Sequence, residues 1–227
     1  AQAALWGLAI VLDVGGPLVI DVGGWQLHAE HFAERHGLIV IIALGESIVA
    51  IGVAAEAGID TGVVVATVLG ITVAACQWWA YFDVVSIVAT RRLTGLPPGR
   101  EQNAMARDSY SYLHFLMVAG IVLVALGLKK TIGDVGEPLK LVTATALLGG
   151  AALYLLAHLA FRWRNVRSLN RQRLVTAVVL LLVVPIAPLI PALATVAIVA
   201  GVHALLVAYE TTHFAAARDE ICHQPAE

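Results

Sequence analysis

About seven stretches of the chain are apolar for close to the length of a membrane crossing, and polar segments separate them. With ~20 residues needed to cross a bilayer core, the pattern predicts spans over about 3–22, 37–57, 61–90, 108–128, 139–161, 174–190 and 192–212. The expected fold class is therefore all-α, a polytopic integral membrane bundle of about seven transmembrane helices. Residues 1–212 form the bundle, and 213–227 form a polar cytoplasmic tail expected to fray. Gly15-Gly16-Pro17 predicts a kink or break in the first span, because proline removes a donor and crowds the preceding turn. Pro97-Pro98-Gly99 marks the turn after the third span, and Pro185, Pro188 and Pro191 the turn between the last two.

Composition sharpens this. Hydrophobic residues make up 59% of the chain and charged residues 13%, against about a quarter charged in a soluble domain. A soluble domain with a large core is excluded. Cys76 lies inside an apolar run and Cys222 in the tail, so no disulfide framework exists. The chain opens on AQAALWGLAIVL, already apolar, with neither an initiator Met nor a basic leader, so it reads as neither a signal peptide nor a natural beginning. If the loops alternate, Arg35, Arg91, Arg92, Arg100, Arg107, the arginines from Arg162 to Arg173, and Arg218 share one side. Lys129, Lys130 and Lys140 take the other. That bias places the arginine side in the cytoplasm.

Polar residues inside the spans carry the candidate chemistry. Glu46 sits in the middle of an apolar run, and a carboxylate at bilayer depth is a functional candidate by default. Asp13, Glu46 and Asp83 each fall about seven to nine residues from the arginine side, roughly 10–14 Å deep at ~1.5 Å per residue. His114, Tyr154, His158 and Glu210 also fall in that half. Thr72, Cys76, Trp79, Asp83, Ser86 and Thr90 recur at helical spacing, as do Thr143, Gly150, Tyr154 and His158, and Arg107, Ser111 and His114. Together they predict a polar cavity open to the cytoplasm, with Asp13, Glu46, Asp83 and His114 facing a common interior. Gly45, Val49 and Gly52 make a small-residue strip that predicts a tight helix contact beside Glu46.

Several motifs converge on one family. The segment His31–Gly52, HFAERHGLIVIIALGESIVAIG, resembles the signature of the bacterial low temperature requirement A protein family. Trp78-Trp79-Ala80-Tyr81-Phe82-Asp83, the stretch from Arg107 to His114, that from Tyr154 to Arg162, and Tyr209-Glu210 fit the same family. The resemblance implies a multi-pass protein of the bacterial cell (inner) membrane, linked to stress or low-temperature growth. It also implies further helices before Ala1, including an acidic, Phe-rich first helix. It implies no activity, since the family name records a growth defect in the cold.

Three readings stay open for the buried polar residues. In the first, a transporter of a small solute or cation, with proton coupling as an option, uses Glu46 and Asp83 as its binding or protonation pair and Asp13 and His114 as relays. In the second, an intramembrane enzyme protonates a lipid or isoprenoid, while Trp79 and Tyr81 shield a cationic intermediate. In the third, a structural or sensory protein uses the acids only as interhelical glue. His31, Glu34, Arg35 and Arg107 serve as loop and orientation residues at the headgroups. His28-x-x-His31-x-x-Glu34 has ligand spacing, yet two imidazoles and one carboxylate fall short of a zinc site. No metal and no cofactor are expected: Walker, Rossmann and nucleophile-elbow patterns are absent, and no lysine lies in the last span. Expected partners are membrane lipids and a small molecule, ion or lipid substrate, with no nucleic acid; a homo-oligomer is compatible.

Overall fold

The computed structural model describes residues 2–19, 24, 26–55, 58 and 60–223, and every regular element among them is a helix. The long helices are α1 (Gln2–Val19), α2 (Ala29–Ala55), α3 (Thr61–Phe82), α6 (His114–Gly133), α8 (Gly150–Val166), α9 (Arg171–Val183) and α10 (Ala192–His213). Shorter ones, α4 (Val85–Thr94), α5 (Arg100–Met105), α7 (Leu141–Ala144) and α11 (Ala215–His223), extend or follow them.

Five segments among the described residues are long and apolar enough to cross a membrane: Ala29–Ala54, Thr61–Thr94, Arg100–Gly133, Leu141–Val166 and Ala192–His213. The protein is a polytopic helical membrane protein. The expected first and sixth spans are present as helices but fall short. The apolar part of α1 covers Ala4–Gly16, and α9 has 13 residues because Pro185, Pro188 and Pro191 end it in a 3-10 turn at Ala187–Leu189. Large apolar side chains cover the outside, among them Ile42 at 70%, Phe115 at 62% and Leu205 at 72% exposure, a surface suited to acyl chains.

Four local features depart from the sequence reading. α1 continues unbroken through Gly15-Gly16-Pro17, and residues 20–22, the expected end of that span, lie outside the described residues. The third span is two helices end to end: Val84, at φ −131° and ψ −32°, leaves helical geometry and α4 starts afresh. Residues Ala106–Leu113 form a π-helical turn, whose i→i+5 bonding inserts a residue. It rotates His114 off the stripe that was expected to join it to Arg107 and Ser111. His114 is buried, Arg107 half-buried and Ser111 exposed. Finally, residues 215–223 do not fray. Asp83 receives Arg218, and Arg91 Nη1 donates to the Ile221 carbonyl at 3.0 Å, so α11 is docked on the bundle.

α6 is the central helix. Its Met117, Ile121, Val124 and Leu128 are buried against Val40, Leu44 and Ile51 of α2 and Leu147, Ala151 and Leu155 on the α8 side. Glycines set the α6–α8 distance. A Cβ built at Gly120 would lie 2.7 Å from the Gly150 carbonyl oxygen and 2.8 Å from the Tyr154 nitrogen. At Gly127 it would lie 2.5 Å from the Leu147 Cβ and 2.8 Å from its Cα. Such backbone-to-backbone approach is what small residues permit in membranes.

Candidate functional site

The arginine-rich end of the bundle holds a buried polar network. Asn170 caps α9, its Oδ1 accepting from the Arg173 amide at 3.1 Å, and this fixes the first turn so that Arg173 points inward. Arg173 is 7% exposed and Glu210 of α10 is 5% exposed. The pair is bidentate: Nε donates to Oε1 at 2.9 Å and Nη2 to Oε2 at 2.8 Å. Asn170 Nδ2 adds a third bond to Oε1 at 2.6 Å. Arg173 Nη1 turns the other way, to the Ala80 carbonyl at 3.2 Å and to His158 Nδ1 at 3.1 Å. With Nδ1 accepting, the His158 proton sits on Nε2, which has no partner among the described residues.

Beside this network lies a cavity of about 350 Å³. Asp83 lines it and is held bidentately by Arg218, whose Nε lies 2.6 Å from Oδ2 and whose Nη2 meets Oδ1. The same guanidinium covers the Trp79 ring, 5.2 Å from its centroid. Two helix starts border the cavity: Val84 and Val85 at the beginning of α4, and Asn170 to Arg173 at the beginning of α9. Arg162 and Arg171 complete its charged lining.

Deeper in, an imidazole–aromatic cluster joins α2, α3, the π-turn, α6 and α8. Tyr81 Oη lies 2.7 Å from His114 Nε2, and His114 Nδ1 lies 3.0 Å from the Ser109 carbonyl. A carbonyl only accepts, so Nδ1 donates and the Tyr81 hydroxyl donates to Nε2. Tyr110 stacks on His114 at 5.1 Å and 10°, while His36 and Phe161 meet that imidazole edge-on. Tyr154 donates to the Gln77 carbonyl at 2.5 Å and packs on His158. Tyr81→Phe keeps the ring but leaves a buried acceptor on His114. A loss of about 1–3 kcal/mol is expected, read as a lower melting temperature of the detergent-purified protein, and unchanged melting would show that His114 finds another partner.

The expected carboxylate cluster is not assembled. Asp83 and Glu210 both line the cavity, with His158 one bond away, but Glu46 is exposed on α2 and makes no hydrogen bond or ion pair among the described residues. The buried stripe of α2 runs through Val40, Leu44, Ser47 and Ile51, and Glu46 lies on the far side of the helix from it. Among the described residues the strip beside Glu46 makes no tight contact either, since a Cβ at Gly45 or Gly52 meets none of them within 4 Å. Asp13 is exposed at a separate cavity of about 330 Å³, shared with Arg107. Arg107 pairs with Asp108 at 2.7 Å, and Arg164 does so at 3.2 Å. It is thus Arg218, from the tail, that neutralises Asp83. At the rim, His31 lies 3.6 Å from Glu34, and Arg35 is exposed.

Sequence reading missed Arg173, Asn170, Arg218, His36 and Tyr110. The arginines were absorbed into the topology argument; only the Asn170-x-x-Arg173 capping spacing hinted that one of them turns inward.

Residues 1–208 match the family model described as Bacterial low temperature requirement A protein (LtrA). The chain belongs to this family. It is also similar to uncharacterized protein RA0937 of Rhizobium meliloti (strain 1021), at 30% identity over 173 residues, which cover 68% of this chain and 39% of that protein. The chain thus spans about two-fifths of the length of that curated relative. No solved structure matches it.

Proposed function

We propose that this low temperature requirement A protein is a small-solute transporter whose solute site is the cavity between α3–α4, α8, α9 and α10. One observation carries the reading: the α3–α4 break at Val84 and the start of the shortened helix α9 meet at a charged cavity at the arginine-rich end of a membrane bundle. Half-helices that start or stop at a solute site are a recurring device of secondary transporters, because their free ends supply backbone dipoles where the solute sits. The imidazole–tyrosine cluster, reached through His158, is the natural route for any coupled proton. The lipid-chemistry alternative is weaker, since Arg218 occupies both the Asp83 carboxylate and the Trp79 face that an acid-and-aromatic mechanism needs.

The test is uptake into proteoliposomes carrying an internal pH dye. Gradients of potassium, ammonium, inorganic phosphate and small carboxylates are applied in turn, and the lipids are recovered afterwards for mass spectrometry. We expect solute-dependent flux above protein-free vesicles for at least one probe, with most of it lost in Arg218→Gln. Altered lipids without flux would replace transport by the enzyme reading.

A further inference from the structure

The charge balance of the cavity bears on the class of ligand it would take. Among the described residues four arginines line it (Arg162, Arg171, Arg173 and Arg218) against two carboxylates, Asp83 and Glu210. Both carboxylates are consumed. Each accepts a bidentate guanidinium, and Glu210 takes Asn170 as well. An ionised carboxylate whose oxygens already face fixed donors offers little to an incoming cation. What remains is positive. Arg162, exposed on α8, donates from Nε to Ser168 Oγ at 2.8 Å, and among the described residues its outer nitrogens make no further hydrogen bond. Arg171 is exposed at the mouth, on the first residue of α9.

Backbone dipoles add to this. α9 has 13 residues and α4 has 10. α9 begins at the cavity wall, and the amides of its first turn, apart from that of Arg173 capped by Asn170, carry partial positive charge; at the start of α4 the adjoining end of α3 offsets that charge. Guanidinium forks beside a helix start suit tetrahedral oxyanions.

We propose that the cavity binds a phosphate-type oxyanion, gripped by Arg162 and Arg171 against the start of α9. The ligand is either free phosphate or the phosphate of an anionic lipid headgroup, since a cavity at the end of the spans is reachable by both. This deepens the transport reading by naming the charge class of its solute, yet binding is measured without flux.

The experiment uses the full chain purified in detergent at constant ionic strength. In the soluble arm, inorganic phosphate is titrated by calorimetry and by thermal shift, with potassium and ammonium chloride as cation controls. In the lipid arm, native mass spectrometry counts phosphatidylglycerol retained before and after phosphate is added. The variants are Arg162→Gln with Arg171→Gln, and Arg92→Gln as an exposed arginine away from the cavity. Saturable phosphate binding, or retained phosphatidylglycerol that phosphate displaces, is expected. Either should weaken about tenfold or more, about 1.4 kcal/mol, in the double variant while Arg92→Gln matches wild type. The first result identifies a soluble ligand and the second a lipid headgroup. If the wild-type protein binds neither, or the double variant binds equally well, or only the cations bind, the proposal is overturned. Should the double variant not fold, the wild-type titration alone still decides. Flux of a cation with no oxyanion binding would overturn this proposal and leave transport standing; oxyanion binding without flux of any probe would do the reverse.

Discussion

Replacing Glu210 by alanine is expected to cost about 3–5 kcal/mol and to be the most damaging single change at the polar end of the bundle. Arg173 would keep its charge in a site where its side chain is 8% exposed, with the Ala80 carbonyl and His158 as the acceptors left among the described residues. An unpaired charge there is far more costly than a lost surface pair. Asp108, at 30% exposure, forms the comparison; it holds both Arg107 and Arg164, and losing each of these part-exposed pairs should cost about 0–1 kcal/mol. The measurement is thermal unfolding and folded yield in detergent for Glu210→Ala, Asp108→Ala, and Arg173→Met combined with Glu210→Leu. The combined variant removes both charges, so it should recover most of the loss. If Glu210→Ala and Asp108→Ala melt alike, water reaches the Arg173 site and the network is not a dry one.

The helices were legible in the sequence because apolar runs and prolines report length and ends, and both follow from the bilayer. Which way a polar side chain faces was legible only where the pattern around it was uneven. Tyr154 and His158 lie on one stripe with Gly150, and all three are buried. Around Glu46 the helix is apolar on every side, with Ile39, Val40, Ile41 and Ile42 in succession, so periodicity carried no direction and depth alone was read. Two backbone irregularities were equally silent. The break at Val84 lets Asp83 meet the tail, and the π-turn before His114 changes its face; neither has glycine or proline at the spot. The arginines show a different limit. In a membrane chain they determine sidedness whether they end in water or, like Arg173, fold inward onto an acid, so counting them gives topology and hides the site.

Gly120→Ala is the second large effect, and its sign follows from comparing two terms. Alanine is the better helix former by about 1 kcal/mol, a gain available wherever the new methyl group has room. At Gly45 and Gly201 no described residue lies within 4 Å of the point a Cβ would occupy, so alanine there should be neutral or slightly stabilising. At Gly120 the methyl group would meet the Gly150 carbonyl at 2.7 Å and the Tyr154 backbone at 2.8 Å. Neither is the end of a flexible side chain, so the helices themselves have to separate. Overpacking of this kind costs about 1–3 kcal/mol and sometimes more, which exceeds the propensity gain. Moving α8 away from α6 also displaces Tyr154, whose hydroxyl reaches the Gln77 carbonyl at 2.5 Å, and His158, which faces Arg173 one turn further on. The packing fault should therefore propagate to the polar network. Gly120→Ala is expected to lower the melting temperature and to weaken oxyanion binding together, whereas Gly45→Ala and Gly201→Ala do neither. A Gly120→Ala protein as stable as wild type would mean that α6 and α8 slide past each other at little cost, and that the cavity is not held open by their contact.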